Sequence, residues 1–456
     1  MDTIAAIATA PGPSAIGILR VSGEAAPAVL DRLFAPSNGK PMSAQGARRM
    51  VYGALRDAEG RVIDRALAVR FDAARSYTGE SSAEVHCHGS PVVLSEALAA
   101  AFAAGARQAR PGEFTKRAFL NGRMDLTEAE AVVDLIDAES AGAARNAAGQ
   151  VDGALRRLAE DAYGKLLDIA SRFYAVVDYP DEDIEDASPA EVDAALRETE
   201  TALAGLLATY ARGRVLKNGV AAAIIGAPNA GKSSLLNRLV GYDRAIVTPL
   251  AGTTRDTVEE KALVGGVLLR LIDTAGLRET DDAVERLGVE RSRKAVDQAD
   301  FILALVDGSR AADAEDEAAL ALAASSGKPW LLLRTKCDLG NGDGGSGGSG
   351  SGACGVVAVS NVTGEGFDEL EAAVAKLFPA PPPQSGTLLT NARQAEAVGR
   401  ALASVRAALD ALRGGMTPDA VLTEVEAAAN ALGELTGRTA REDMVSRIFE
   451  RFCVGK

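Results

Sequence analysis

Hydrophobic residues in the first quarter of the chain form short runs that turn residues interrupt. Apolar or alternating segments lie at Ile4–Thr9, Ala15–Val21, Ala66–Phe71 and Glu84–His88, with Gly and Pro residues between them. Alternation with a period of two between such turn residues is typical of β-strands. Residues 1–118 are therefore predicted to form a small α+β domain.

The pattern changes from about Leu126, where Ala, Leu and Glu become frequent over long stretches. Leu126, Ala129, Val133 and Ile136 recur at the spacing that places residues on one face of a helix. This helical character continues to about Leu216.

Five short apolar segments follow, and helix-forming sequence separates them. They lie at Ala221–Ile225, Val267–Asp273, Phe301–Asp307, Trp330–Thr335 and Gly355–Ser360. Apolar strands that alternate with helices are typical of a parallel sheet covered on both faces. An α/β domain with a mostly parallel sheet is therefore predicted.

Helix-forming sequence resumes at about Asn391–Phe452, after the Pro-rich stretch Phe378–Pro383. Helical segments thus flank the α/β domain on both sides. Because the termini of a domain are often close together, we predict that the α/β domain, residues 217–380, is inserted into one discontinuous helical domain, 119–216 and 384–456. The alternative is two independent helical domains.

Composition limits the function. The 456 residues include 49 Lys+Arg and 63 Asp+Glu, a net charge of −14, which is the opposite of a basic nucleic-acid-binding domain. With 4% aromatic residues and Trp330 as the one tryptophan, stacking of single-stranded bases is not indicated either. Any contact with RNA is therefore expected to use local patches.

The cysteines and the apolar runs indicate the compartment. Cys87, Cys337, Cys354 and Cys453 are scattered without a CxxC pair, which argues against a structural zinc site or a disulfide framework. No uninterrupted apolar stretch reaches the ~18–20 residues that span a bilayer. We expect a cytoplasmic protein with no membrane partner.

The strongest motif is Gly226–Ser233, which matches the phosphate-loop pattern G-x-x-x-x-G-K-[ST] between a predicted strand and the predicted helix Ser234–Val240. Its glycines let successive N–H groups face phosphate oxygens. Lys232 adds a positive charge at the β- and γ-phosphates, and Ser233 offers a hydroxyl to Mg²⁺.

Two further segments suit a bound nucleoside triphosphate. Asp273–Gly276 ends an apolar strand, where Asp273 is expected to hold Mg²⁺ through water. Gly252–Asp256 lies in a predicted loop, and Thr254 is expected to give Mg²⁺ a second hydroxyl. The alternative for Thr254 is an ordinary turn residue.

The segment Thr335–Asp338 predicts a preference for guanine. Asp338 follows a strand, where its carboxylate is expected to accept the ring N–H and the exocyclic amine of guanine, a donor pair that adenine lacks. The sequence departs from the common N-K-x-D form because Thr335 stands in the Asn place. Ser360-Asn361 likewise departs from the common Ser-Ala pair. We expect these two departures to affect the affinity for guanine more than the choice of guanine as the base.

Hydrolysis requires a further group. Leu277 follows Asp273–Gly276, where several signalling GTPases place a glutamine that orients the attacking water. Because leucine has no polar group for that role, another residue or a partner is expected to supply it. Glu285 is one candidate, and the alternative is that Glu285 is a solvated acidic residue.

Together these motifs resemble the MnmE (TrmE) family of tRNA-modification GTPases. The resemblance covers nearly the whole chain apart from Gly340–Gly352, a predicted surface loop. It is carried by segments spread over all parts of the sequence: Gly17–Gly23, Tyr77–Glu80, Arg110–Phe114, Gly226–Ser234, Gly252–Asp256, Asp273–Arg278 and Cys453–Lys456.

The resemblance implies a homodimer whose N-terminal domains bind a tetrahydrofolate derivative, 5-formyl- or methylene-tetrahydrofolate. It implies a discontinuous helical domain and an inserted P-loop GTPase domain. It also implies a heterotetramer with the FAD-dependent partner MnmG (GidA). Together the two proteins modify carbon 5 of the wobble uridine of certain tRNAs, with folate as the source of the one-carbon unit.

The resemblance also implies roles for individual residues. Folate contacts fall on Arg20, Glu84, Arg123 and Lys456. A K⁺ ion falls between Asn229, Thr248, the backbone of Leu250, and Thr253. Ser233 and Thr254 would be ligands of Mg²⁺. Lys232 would bind the phosphates, and Glu285 would position the hydrolytic water indirectly. The full set of expected GTP-binding residues is Asn229, Ala230, Gly231, Lys232, Ser233, Ser234, Thr248, Pro249, Leu250, Ala251, Gly252, Thr253, Thr254, Asp273, Thr274, Ala275, Gly276, Thr335, Lys336, Asp338, Ser360 and Asn361.

Several alternatives remain open. His86 and His88 flank Cys87, and we favour a structural or folate-pocket role for them over a metal site, because no further ligand completes one. Cys453 is either a reactive thiol, as the resemblance implies, or an inert buried one. A ribosome-assembly GTPase and a dimeric scaffold with a vestigial nucleotide site are the competing functions. The N-terminal motifs argue against the first, and intact Lys232 against the second.

Overall fold

The computed structural model describes most of the chain. It covers residues 2–178, 188–242, 260–272, 285–340, 352–379, 386–439, 445, 448–450 and 452–455. The chain divides into two units that are described separately below. The first unit contains Met1–Val133, Val151–Leu203 and Ala397–Lys456, and the second contains Asp134–Gln150 and Ala204–Glu396.

A seven-stranded sheet forms the N-terminal part of the first unit, in the order β3-β4-β5-β6-β2-β1-β7. Neighbouring strands are antiparallel except β1 and β7, which are parallel. The strands are β1 Ile4–Ile7, β2 Ser14–Ser22, β3 Phe34–Pro36, β4 Val51–Arg56, β5 Val62–Phe71, β6 Ser82–Gly89 and β7 Arg107–Gln108. The four predicted segments fall in β1, β2, β5 and β6, whereas β3, β4 and β7 were not predicted.

Helices cover the sheet unevenly. Helices α1 (Ala26–Leu33) and α2 (Pro91–Ala103) pack on one face, where Leu19 and Leu94 belong to the main core. The packing of α2 is close enough that a Cβ on Gly17 would lie 2.6 Å from Leu94 Cδ1, so the Leu94 side chain would have to shift.

On the opposite face, α3 (Glu113–Leu120) places Phe114 against Ile4 and Ala6 of β1. Ile4 and Ala6 alternate with Ala5, which joins the main core, so the two clusters lie on different faces of the sheet. Arg20 pairs with Ala6 and with Glu84 in the strand register. Arg20 and Glu84 therefore lie on the face that α3 covers only in part.

Further helices of 9 to 25 residues lie outside the α/β region. They are α4 Leu126–Ile136, α5 Ala141–Val151, α6 Ala154–Asp178, α7 Pro189–Ala208, α8 Tyr210–Asn218, α13 Ala392–Arg413 and α14 Pro418–Thr436. Helices α6 and α14 pack against each other. Among the described residues, none of the helices combines the length and apolar character needed to cross a membrane.

Capping residues set two of these helix ends. Asp125 Oδ1 accepts the N–H of Glu128 at 2.8 Å, and Glu128 Oε2 accepts the N–H of Asp125 at 2.7 Å. This reciprocal capping box begins α4. Helix α14 ends at Thr436 because Gly437 adopts a left-handed conformation with φ 89°. Helical residues occur again beyond this end, at Val445, Ile448 and Phe449.

The second unit contains a six-stranded sheet in the order β13-β12-β11-β8-β10-β9. All neighbours are parallel except the β9–β10 pair, which is antiparallel. The strands are β8 Val220–Gly226, β9 Glu260–Val264, β10 Val267–Leu271, β11 Phe301–Asp307, β12 Trp330–Thr335 and β13 Val356–Ala358. The predicted mostly parallel sheet is confirmed. Strand β9 was not predicted.

Both faces of this sheet are buried. Val220, Ala222 and Ile224 belong to one core cluster, and the alternating Ala223 and Ile225 belong to the other. The covering helices are α9 Lys232–Tyr242, α10 Glu285–Gln298, α11 Ala314–Ser325 and α12 Phe367–Leu377. Strand β8 is therefore apolar throughout, as its sequence predicted.

A buried arginine joins α3 to the loop before β6. The side chain of Arg117 is 4% exposed, and its guanidinium donates to Glu80 Oε2 at 2.9 Å, Glu113 Oε1 at 3.0 Å and the backbone oxygen of Asp2 at 2.7 Å. Burial alone would raise the pKa of Glu113, but hydrogen bonds from Arg107, from the backbone and from Arg117 outweigh it and lower the pKa to about 2. This network fixes the loop that carries Tyr77 and Glu80.

Replacing Arg117 is expected to destabilise the first unit. Arg117→Met should lower its free energy of unfolding by about 3 kcal/mol at pH 7, because buried carboxylates lose their partner. Urea unfolding of the full chain, followed by circular dichroism, measures the effect. Because the pKa of Glu113 is lowered in the folded state, its contribution is present above about pH 4.5 and is lost as the pH falls towards 2. The difference between variant and wild type should shrink over that interval.

Arg61→Met is the matched control. The Arg61 side chain is 77% exposed and pairs with Asp57 at 2.6 Å in a turn. Exposed pairs contribute little, so the urea midpoint should stay unchanged. Equal midpoints for Arg117→Met and the wild type would show that the buried network does not stabilise the unit.

Candidate functional site

The loop Gly226–Ser233 connects the C-terminal end of β8 to the first turn of α9. Asn229 has φ 61° and Gly231 has φ 89°, both in the left-handed region. Asparagine tolerates this region better than most residues, and glycine adopts it without steric cost. The loop therefore turns sharply where a strand end meets a helix N-terminus, a position suited to anions.

Lys232 spans this loop. Its Nζ donates to the backbone oxygens of Gly226 at 2.8 Å and Ala227 at 2.7 Å. The Lys232 side chain is partly buried, and the loss of contact with water lowers its pKa below the usual lysine value. The positive charge is thus held inside the turn. Ser233 is half-buried in the same helical turn, and Ser234 is exposed.

The end of β12 meets the phosphate loop. Thr335 is fully buried, and its Oγ1 donates to the backbone oxygen of Ala230 at 2.8 Å. Lys336 follows with φ 59°, and Asp338 is exposed in the short 3₁₀ turn Cys337–Leu339. The structure thus brings the predicted guanine segment and the predicted phosphate loop together.

Asp307 is a site residue that the sequence analysis did not single out. It ends β11, and its Oδ2 lies 2.6 Å from Lys336 Nζ. Burial alone would raise the pKa of Asp307, but hydrogen bonds from Lys336 and Ser309 lower it overall. The available signal was a carboxylate at the end of a buried parallel strand, the same signal that pointed to Asp273.

Ser360 and Asn361 lie in the loop after β13. Buried Ser360 accepts the N–H groups of Val362 and Thr363 at 3.3 and 3.1 Å. Asn361 Nδ2 donates to the backbone oxygen of Gly231 at 3.3 Å. This second loop is therefore also tied to the phosphate loop.

Arg238, on α9, was missed by the sequence analysis. Its Nη1 donates to the backbone oxygen of Asn361 at 3.0 Å, and its guanidinium lies 5.1 Å from the centroid of the Phe367 ring. No local sequence pattern identifies Arg238, because Asn361 lies 123 residues further along the chain.

The other expected nucleotide residues lie outside the described part of the structure. They are Thr248, Pro249, Leu250, Ala251, Gly252, Thr253, Thr254, Asp273, Thr274, Ala275 and Gly276, together with Leu277. Glu285 is the first residue of α10, and its side chain also lies outside the described part. Their roles stay predictions.

A second group of predicted residues meets on the sheet of the first unit. Arg20 Nε donates to Glu84 Oε1 at 2.9 Å across β2 and β6. The other carboxylate oxygen of Glu84 lies 3.1 Å from His86 Nε2. The Arg20 guanidinium lies 5.8 Å from the Tyr77 ring centroid and 5.7 Å from that of Phe114. A cation, an anion and aromatic rings are thus adjacent.

The end of the chain reaches the same place. Val454 forms an isolated β-bridge with Pro111. Arg20 Nη1 donates to the backbone oxygen of Gly455 at 3.4 Å. Gly455 has φ 99°, and a Cβ there would lie 2.3 Å from the backbone oxygen of Ile7. Lys456, the next residue, lies outside the described residues.

Cys453, which precedes this bridge, has an exposed side chain. Its backbone oxygen accepts the N–H of Gly112 at 3.3 Å. The exposure contradicts the alternative of a buried thiol.

Arg123 contacts the loop that carries Tyr77. Its Nη1 donates to the backbone oxygen of Ala74 at 3.2 Å, and Asn121 holds Thr78 of the same loop through a 2.7 Å hydrogen bond. His88 contacts Asp64, not the partner of His86. Among the described residues, no three His, Cys, Asp or Glu side chains form a group that could hold a metal ion.

Comparison with known proteins covers the whole chain. Residues 126–453 match the family model of the MnmE helical domain, and residues 3–123 match that of the GTP-binding protein TrmE N-terminus. Curated relatives named tRNA modification GTPase MnmE are 44% identical over 471 residues in Roseiflexus castenholzii and 43% identical over 461 residues in Symbiobacterium thermophilum. Each alignment covers 100% of this chain and 99% of the relative. The chain therefore belongs to the MnmE family of tRNA modification GTPases.

Proposed function

We propose that this GTPase depends on K⁺ and, with the FAD-dependent partner MnmG, modifies carbon 5 of the wobble uridine of certain tRNAs with a one-carbon unit from folate. The observation that carries the nucleotide part is the Thr335–Ala230 hydrogen bond, which places the candidate guanine segment against the candidate phosphate loop. A GTP hydrolase requires both in one site.

The proposal assigns a role to each domain. Residues 1–118 bind folate and form a homodimer, and residues 217–380 form the inserted GTPase domain. Residues 119–216 and 384–456 form the discontinuous helical domain. The partners are a second copy of the chain, tRNA and MnmG in a heterotetramer, and the location is the cytoplasm.

In the nucleotide site, Lys232 binds the β- and γ-phosphates from within the loop. Asp338 is exposed in the 3₁₀ turn that follows β12, so its carboxylate is available to the paired N–H donors of guanine. The oxygens of Ser233 and Thr254 suit Mg²⁺, with Asp273 acting through water. Mg²⁺, when bound, neutralises charge on the phosphate oxygens.

Leu277 cannot orient the attacking water, and hydrolysis also needs positive charge beside the phosphates. Asn229 is exposed at the tip of the phosphate loop, and its oxygen is a suitable ligand for K⁺ together with Thr248, the backbone of Leu250, and Thr253. K⁺, when bound, adds positive charge beside the phosphates. Glu285 positions the hydrolytic water indirectly.

The folate site combines Arg20, Glu84, Arg123 and Lys456. A carboxylate such as Glu84 suits the adjacent N–H donors of a pterin, and guanidinium or ammonium groups suit the glutamate carboxylates of folate. Support comes from the Arg20–Glu84 pair and from Gly455, whose contact with Arg20 brings the chain end to the site. We assign the exposed Cys453 as a reactive thiol at this chain end.

Lys232→Ala is expected to abolish tight GTP binding, because the phosphate charge then has no partner inside the loop. Fluorescence titration with a labelled GTP analogue measures the affinity. Hydrolysis by the wild type should require Mg²⁺ and stop with a chelator. Equal hydrolysis of ATP and GTP would contradict the guanine assignment.

GTP hydrolysis by the wild type is expected to be at least about tenfold faster in K⁺ than in matched Na⁺. Asn229→Gly keeps the left-handed backbone and removes the side-chain oxygen, so it should lose the K⁺ stimulation while GTP affinity changes little. Asn229→Asp keeps an oxygen and is the matched control. Equal rates in both salts for the wild type would exclude the K⁺ mechanism.

Arg20→Met is expected to weaken binding of 5-formyl-tetrahydrofolate at least about tenfold, because a charged hydrogen-bonding group is lost. Calorimetry measures this, with Arg65→Met as an exposed control on β5. In cells that lack the chain, mass spectrometry should show unmodified wobble uridines. The wild type and Arg65→Met should restore the modification, and Arg20→Met should not, although it still hydrolyses GTP. Wobble uridines that stay modified without the chain would contradict the proposed tRNA role.

A further inference from the structure

We propose that Thr335 and Asn361 are positioning residues that orient two peptide groups of the phosphate loop. Both residues differ from the common guanine-site pattern, and both contact backbone oxygens of the loop. The inference rests on the proposed GTP site and explains how this chain builds that site with Thr in the Asn place.

Thr335 provides the stronger contact. Its side chain is fully buried, and its hydroxyl lies 2.8 Å from the oxygen of Ala230 and 3.3 Å from that of Val306 on β11. A hydroxyl has one hydrogen to donate, so the shorter contact is the principal bond. A side chain at the end of β12 thus holds a carbonyl of the phosphate loop.

The peptide geometry gives this bond its consequence. In a planar trans peptide the C=O and the following N–H point in opposite directions. Fixing the oxygen of Ala230 therefore fixes the direction of the Gly231 N–H, away from Thr335. In the same way, fixing the oxygen of Gly231 fixes the direction of the Lys232 N–H. These N–H groups belong to the part of the loop that binds phosphate.

Asn361 provides a weaker contact at the next peptide. Its Nδ2 lies 3.3 Å from the oxygen of Gly231, which also accepts the N–H of Leu235 at 2.9 Å as α9 begins. The helix alone therefore holds part of this orientation. Arg238 holds the backbone of Asn361 from α9, so the loop after β13 is fixed when Asn361 makes its bond.

Gly231 lies between the two side chains. A Cβ built on it would be 3.3 Å from Asn361 Nδ2 and 3.7 Å from both Cβ and Oγ1 of Thr335. The φ of 89° already favours glycine. The two side chains therefore approach the loop at a glycine, where peptide orientation is least restricted by the chain itself.

The test compares two nucleotides that share phosphates and differ in the base. Inosine diphosphate lacks only the exocyclic amine of GDP, so a contact to that amine changes the ratio of the two affinities, whereas a phosphate-loop contact does not. Thr335→Val should weaken both GDP and inosine diphosphate about tenfold with an unchanged ratio. Asn361→Ala should weaken both about threefold. Thr335→Ser, which keeps the hydroxyl, should stay within about twofold of the wild type.

Two variants calibrate the readout. Asp338→Asn, in the proposed base site, should lower the preference for GDP over inosine diphosphate. Thr363→Val is the matched control, because exposed Thr363 accepts only the N–H of Glu365 through its hydroxyl among the described contacts. Its affinities should equal those of the wild type.

The outcomes separate the inference from the proposed function. A wild type that binds neither nucleotide would remove the proposed GTP site itself. Unchanged affinities in Thr335→Val, or a changed ratio, would overturn the positioning role while leaving the GTP site. If thermal melting shows that Thr335→Val does not fold, Asn361→Ala decides the question. Equal weakening of both nucleotides supports the role, and no weakening or a changed ratio overturns it.

Discussion

Burial of β8 on both faces is the constraint on which the nucleotide site depends. The strand lies between β11 and β10, and its alternating side chains enter two different core clusters. Its apolar composition therefore leaves no position within the strand for a polar functional group. The chemistry has to begin where the strand ends, at Gly226, and the parallel neighbours end at the same edge of the sheet.

In the first unit, the candidate site depends on a partly buried region of one sheet face. Helix α3 covers this face at β1 through Phe114, whereas Arg20 lies one strand further on, on β2, and Glu84 two strands further on, on β6. The register places them side by side because they are direct cross-strand partners. The sheet provides the spacing, whereas the loop with Tyr77 and the chain end at Gly455 enclose the position.

The parts that the sequence predicted are those with a local signal. Strands β8, β11 and β12 are continuous apolar runs, and the phosphate loop has a fixed spacing of Gly, Lys and Ser. Strands β3 and β7 were missed because two or three residues carry no periodicity. The contact of Arg20 with Gly455 could not be predicted from local sequence patterns, because the two residues are 435 positions apart in the chain. From the sequence, Thr335 was only a departure from the common asparagine. The sequence does not show which backbone oxygen accepts a hydrogen bond from its hydroxyl.

The two sites share a way of fixing loops. Asn121 and Arg117 donate to backbone oxygens of Thr78 and Asp2 in the first unit, as Thr335 and Arg238 donate to those of Ala230 and Asn361 in the second. A side-chain donor to a backbone oxygen specifies where the loop lies without specifying its sequence. A hydroxyl and an amide are both donors, so Thr335 donates a hydrogen bond to the loop from the position where an asparagine is common. What the hydroxyl lacks is the second donor hydrogen of an amide. Any function of that hydrogen has to be carried by another residue, and the Asn361 amide, on the adjacent peptide oxygen, is positioned to share in holding the loop.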